Sequence, residues 1–296
     1  MWIFLGLISS LFLGIYDISK KISLNNNAVM PVLFLASLTS ALIFVPIIIL
    51  SHLGYLSTTS DLYVSAVSGH THILIFIKSV LVGSSWIFAF FALKHLPITI
   101  ITPIRATGPI WTLTGAIIIY GEHYNKWQWV GLIMVLVFFY VFTLAGNKEG
   151  INFKKNKWIL FIVIATILGS TSSLYDKFLI QHYDRIVVQS WFSIYMIPVL
   201  LPFVLLMWYP NRRYMVFQWR WSIPFIGLLL TIADFVYFYA LSDGDALITI
   251  LSILRRSSVI ISFTLGAIIF KDVNIKQKGI ALVGILTGVI IILLSS

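Results

Sequence analysis

Of 296 residues, 59% are hydrophobic and only 10% charged, which leaves too little polar side chain to cover a soluble globule of this size. The formal charge of +10 is spread between apolar stretches instead of being gathered into one basic stripe, which argues against a nucleic-acid partner. Cysteine is absent, and this excludes disulfides, thiolate metal sites and cysteine nucleophiles.

The apolar stretches have the ~20-residue length of a membrane-crossing helix, not the ~10 of a barrel strand with alternating polarity. In chain order they are expected at 2–22, 30–50, 73–93, 97–120, 127–145, 158–179, 187–209, 221–241, 246–270 and 278–294, ten in all. The amino terminus reads Met1-Trp2-Ile3-Phe4 with no basic stretch ahead of the first span, so that span is expected to stay in the mature protein. A lysine-rich connector from Asn147 to Lys157 divides the chain into a first half, 1–146, and a second, 158–296.

The halves resemble each other. Phe90-Phe91-Ala92-Leu93 answers Phe238-Tyr239-Ala240-Leu241, the Gly-Ala-Ile-Ile run from Gly115 answers that from Gly266, and Glu122 answers Asp272. Tyr16-Asp17 and Tyr175-Asp176 also correspond, with a shift of about three residues against their neighbours. Five helices per half turn the second copy over, so the expected fold is all-α, integral to the membrane, with ten helices in two inverted repeats. Thirteen of the 20 lysines and arginines fall in the odd-numbered connectors and at most four in the others, which places the odd connectors in the cytoplasm.

This layout resembles the EamA-domain branch of the drug/metabolite transporter superfamily over essentially the whole chain. The stretch GAIIIYGEHYNKWQWVG from Gly115 to Gly131 is similar to that family's junction between fourth and fifth helices, and GAIIFKDVNIKQKG from Gly266 to Gly279 is a shorter second copy. The resemblance implies a secondary transporter, multi-pass in a bacterial inner (plasma) membrane, whose partners are the lipid bilayer, a small-molecule solute and a coupling proton or cation. It names no substrate and no oligomeric state, because the superfamily carries chemically diverse solutes.

Ionisable residues inside the spans are few, and each costs ~2.5 to 3.5 kcal/mol at the bilayer centre unless it is paired or wet. Arg105 in span four and Arg255 and Arg256 in span nine are repeat counterparts, and guanidinium forks suit an acidic group. The adjacent pair is similar to the basic pair by which the related plastid phosphate translocators hold phosphate. The expectation is an anionic or zwitterionic solute held between them, or arginines neutralised by buried carboxylates. Asp234 in span eight is either a coupling site or an arginine's partner.

Thr102 and Thr112 share the face of Arg105, and Ser252 and Thr249 that of Arg256, as further lining. Trp86, Tyr237, Trp191 and Tyr195 are candidates for an aromatic wall, although most aromatics serve packing or the interfacial belt. Pro103 and Pro109 suggest a kink in span four, and Pro46 and Pro202 bends used in gating. Asp17 with Lys21, and Asp176 with Lys177, end the first spans of the two halves as interfacial charges or as a gate.

A gated channel or a non-transporting receptor is the alternative from another class. An intramembrane aspartyl protease is remote, because Ser242-Asp243-Gly244-Asp245 lacks the first glycine of G-x-G-D. No H-E-x-x-H pair suggests a catalytic metal, and no cofactor motif is present. The charge bias makes the connector testable. A cysteine at Asn156 should escape an impermeant thiol reagent added to intact cells and react once the membrane is opened, and labelling from outside would reverse the topology.

Overall fold

The computed structural model describes residues 2–108, 110–111, 114–115, 125–147, 151–153, 155–241, 254–255 and 257–295. These contain ten α-helices: α1 (Trp2–Leu24), α2 (Val29–His52), α3 (Gly69–His95), α4 (Ile98–Ala106), α5 (Lys126–Asn147), α6 (Lys157–His182), α7 (Arg185–Phe203), α8 (Ser222–Leu241), α9 (Ser258–Phe270) and α10 (Ile275–Leu294). Seven stretches are long and apolar enough to cross a membrane.

Local chemistry sets several boundaries. Ser68, Asn156 and Asp184 cap α3, α6 and α7 by accepting hydrogen bonds from the amides of Thr71, Trp158 and Ile186. Leu96 is extended because the following Pro97 disfavours helical backbone before it, and this separates α3 from α4. Pro46 sits within a continuous α2, whereas Pro198 and Pro202 lead α7 into a π-turn over Val204–Trp208. There the Tyr209 amide donates to the carbonyl five residues back, so the two halves differ at their second helices.

The dominant contacts run between the halves. Helix α1 packs on α8 as α3 packs on α6; α2 meets α7, α4 meets α9 and α5 meets α10. These are the pairings generated by a two-fold axis that relates each helix to the one five places later. Serines pin two of them, Ser9 donating to the Ala233 carbonyl at 2.8 Å and Ser85 to that of Ala165 at 2.8 Å. Large apolar side chains such as Phe4, Leu206 and Ile268 point outward, as lipid-facing residues do.

Three basic residues assigned to connectors lie elsewhere. Lys20 and Lys278 are buried within α1 and α10, and Lys78 is inside α3 with its side chain 12% exposed. Lys78 and Lys278 are satisfied by neighbours from another part of the chain, which spacing alone does not reveal, and Lys20 by Asp17 one turn earlier on its own helix. Without them, eleven basic residues remain in the odd connectors against three.

The α5–α10 seam is held by small residues. A Cβ added to Gly288 would come within 2.8 Å of the Gly131 carbonyl, and one on Gly131 within 2.7 Å of the Gly288 carbonyl. At Gly279 an added Cβ meets only the Phe263 ring edge at 3.8 Å. Gly288→Ala should therefore force the helices apart and destabilise the protein by about 1 to 3 kcal/mol, while Gly279→Ala should be near neutral. Thermal unfolding in detergent checks the contrast, and equal shifts would refute the close backbone approach.

Candidate functional site

Among the described residues, three ion-paired groups lie inside the bundle. In the first, Lys20 Nζ and Arg105 Nη1 both contact Oδ1 of Asp17, at 2.6 and 2.8 Å. In the second, Arg255 is ion-paired to Asp234 and lies 4.3 Å over the Tyr237 ring. In the third, Lys78 on α3 reaches Asp176 on α6 at 2.8 Å and passes over the Phe192 ring at 4.9 Å. Tyr16, buried on α1, is within electrostatic reach of Asp17, Arg105 and Asp234 and so lies between the first two groups.

Arg105 and Arg255 thus occupy two centres, each with its own carboxylate, instead of one shared pocket. Asp176 pairs across the halves with Lys78, and the Lys177 side chain is outside the described set. Among the described residues Lys21, although within electrostatic reach of Asp272, makes no salt bridge. It donates to the carbonyls of Leu93 and Leu96 at 2.7 and 2.6 Å, closing the end of α3. Arg256, Ser252, Thr249, Pro109, Thr112, Glu122 and the Ser242–Asp245 connector lie outside the described residues.

A small cavity of about 30 Å³ adjoins the second centre, lined by Ser37 and Ser40 of α2, Trp86 of α3, Gln189, Phe192 and Ser193 of α7, and Thr231 and Asp234 of α8. It takes two helices from each half in counterpart positions. The buried Ser37 hydroxyl has no hydrogen-bond partner among the described residues. A smaller space of about 10 Å³, the size of a water, lies beside Asp17, Lys20, Thr102 and Arg105. Thr102 itself donates to the Ile98 carbonyl of its own helix.

Trp191 and Tyr195 lie on the same stretch of α7 as Gln189, Phe192 and Ser193 but on another face of the helix. Tyr195 hydrogen-bonds His72 at 2.9 Å, and Trp191 packs edge-on to the same imidazole with centroids 4.5 Å apart. They form an aromatic group above the Lys78–Asp176 pair rather than a wall with Trp86, whose ring meets Phe192.

Sequence reasoning grouped Lys20 with Asp17 and Lys21 as interfacial charges or a gate, and did not select Lys78, Ser37 or Gln189. The signal available for the two lysines was helical spacing: Lys20 follows Asp17 by three residues, and Lys78 is the one cation in an otherwise apolar span. Nothing local distinguishes Ser37 from other serines in the chain.

A fourth polar group joins the halves elsewhere. The fully buried Lys278 donates to Thr99 Oγ1 at 2.9 Å, and that hydroxyl donates to Asp272 at 2.7 Å, beside the start of α4.

The Lys78–Asp176 pair is testable as a contact between halves. In a double-mutant cycle with Lys78→Gln and Asp176→Asn, unfolding should show a coupling of about 1 to 2 kcal/mol, reduced from the deeply buried case because a third of the Asp176 side chain is exposed. Strictly additive single effects would remove the pair from the interface.

Comparison with known proteins places this geometry. No curated protein matches the chain. A crystal structure of a protein 14% identical in sequence superposes with a TM-score of 0.62, covering 99% of this chain and 97% of the other, which establishes a shared fold. The EamA-like transporter family matches twice, over residues 1–144 and 156–294, in step with the two five-helix halves. The chain is a multi-pass membrane protein and belongs to the EamA-like transporter family.

Proposed function

We propose that the protein is a secondary transporter that carries a small organic metabolite, anionic or zwitterionic, across a bacterial inner membrane by alternating access. The observation that supports this most is the cavity between α2, α3, α7 and α8. Two helices from each half bound it, so rocking one half against the other would open the same space to either side in turn. At about 30 Å³ it is too small for a metabolite, and entry requires the halves to part.

The Asp234–Arg255 pair gives that opening a chemical trigger. A solute carboxylate can replace Asp234 on the guanidinium, and a solute amine can take the released Asp234. One ion pair is exchanged for another, so no charge is left bare in the membrane interior. Trp86 borders the cavity with Asp234 and Tyr237 lies under Arg255, and Arg256 and Ser252, on either side of Arg255 in sequence, remain candidates for contacts to the acid. In this reading the Asp17–Lys20–Arg105 and Lys78–Asp176 groups, which tie α1 to α4 and α3 to α6, would serve as gates.

Substrate-dependent counterflow in vesicles, with solutes chosen from a metabolite-panel thermal shift, tests the carrier reading directly. A channel would show flux without counterflow. Arg255→Gln should abolish solute binding, and Arg255→Lys should restore it only in part because the planar fork is lost. Asp234→Asn leaves Arg255 without a counter-charge; with both side chains about a quarter exposed, the loss of stability should fall at the lower end of ~3 to 5 kcal/mol. That variant should lose net uptake and exchange together. Exchange at the parental rate would instead give Asp234 a coupling role alone.

A further inference from the structure

Among the described residues, charge is balanced one to one at two of the three ion-paired centres and is not balanced at the third. Arg255 faces Asp234, and Lys78 faces Asp176. At the first centre two cations share a single carboxylate oxygen, Oδ1 of Asp17, leaving one positive charge in excess among the described residues. Lys20 is only 4% exposed, so bulk water does not carry that excess. The Lys20 ammonium also lies over the rings of Tyr16, at 4.0 Å, and Phe90, at 5.7 Å. Ring faces and the carboxyl end of α1 favour a cation there, yet neither supplies a full negative charge.

The same groups border a cavity. Asp17, Lys20, Thr102 and Arg105 form its polar side, and Phe90 and Ile101 contribute to an apolar one. Arg105 uses one guanidinium nitrogen on Asp17 and makes no other hydrogen bond among the described residues, while 42% of its side chain is exposed. It therefore has donors free on an accessible side. Lys20 approaches from the buried side. An acid group entering at Arg105 would meet two cations, a carboxylate already satisfied, and apolar walls for the rest of the molecule.

We propose that Lys20 and Arg105, sharing the carboxylate of Asp17, form a binding site for a singly charged acid group on an apolar solute. The inference rests on the transport reading and narrows it to monoanionic head groups. One added negative charge brings the centre to neutrality. A neutral amide leaves the excess in place, and a dianion overshoots it, so both are disfavoured in a medium that penalises bare charge. The carboxylate of a monocarboxylic acid or of a zwitterion meets this requirement, and a dianionic phosphate does not.

The test uses the full chain in detergent, with benzoate, benzamide and the dianion isophthalate as probes at matched ionic strength and thermal unfolding as the readout. Benzoate should raise the Tm of the parent, with little effect from the other two. In Lys20→Gln, which keeps the Asp17–Arg105 pair and removes the excess, half-saturation by benzoate should rise about tenfold or more. Lys20→Arg should keep the benzoate response. Asp17→Asn raises the excess to two charges and should bring isophthalate up to benzoate or beyond. Equal benzoate affinity in the parent and Lys20→Gln, or a parent stabilised as well by benzamide as by benzoate, would overturn the proposal. Where Lys20→Gln does not fold, an unchanged probe preference in Asp17→Asn overturns it, and the parent's ranking of the three probes decides if neither variant folds. Counterflow absent with benzoate binding intact strikes the transport reading alone. Counterflow intact in Lys20→Gln with benzoate affinity unchanged strikes this site alone.

Discussion

A charged side chain held away from water must be met by another charge, and the positions of Asp17, Asp176 and Asp234 organise the centre of this molecule around that requirement. Each carboxylate faces at least one cation, and each reaches one on another segment: Asp17 joins α1 to α4, Asp176 joins α6 to α3, and Asp234 joins α8 to the stretch that carries Arg255. The pairs hold the bundle in this arrangement because separating a partner exposes the other's full desolvation cost. On the proposed transport reading they are also the places where a charged solute would change the arrangement, by offering a replacement partner as the first one leaves.

Around these pairs the bundle is joined by features that add little energy singly and much specificity together. Serines reach carbonyls on the opposite half, Asn27 ties the start of α2 to the Gln218 backbone ahead of α8, and glycines let α5 and α10 approach at backbone distance. In lipid the hydrophobic effect does not distinguish a neighbouring helix from an acyl chain, so close packing and buried hydrogen bonds must select partners. The selected partners obey a two-fold relation between halves. The charges do not, since Arg105 pairs with the aspartate of its half's first helix and Arg255 with one on its half's third. Duplication gave a symmetric scaffold, and the ionisable residues on it are arranged asymmetrically.

That asymmetry bears on mechanism. A strictly symmetric carrier would present the same chemistry to both sides of the membrane. Among the described residues one centre is electrically balanced beside the larger cavity, and the other carries an excess positive charge beside the smaller. On the proposed transport reading, a solute passing between them would meet different electrostatic environments.

The sequence by itself determined the solvent, the helices and the duplication. Apolar stretches of membrane length leave few alternatives once backbone groups must be satisfied internally, and the described helix ends fall within a few residues of those expected, except the end of α4 at Ala106 and the start of α9 at Ser258. It also singled out Arg105, Arg255 and Asp234, because a charge inside an apolar run is conspicuous in one dimension. Only the tertiary structure decided what those charges face. Lys20, Lys78 and Lys278 read as ends of spans or connector residues, yet each is buried against a group 3, 98 or 179 positions away. Trp191 and Tyr195 read as part of one wall with Trp86, yet they meet His72 instead. Helical periodicity reports which face a residue occupies, but not which helix lies opposite, and for an ionisable group in a membrane the helix opposite decides between structural pair, gate and binding site.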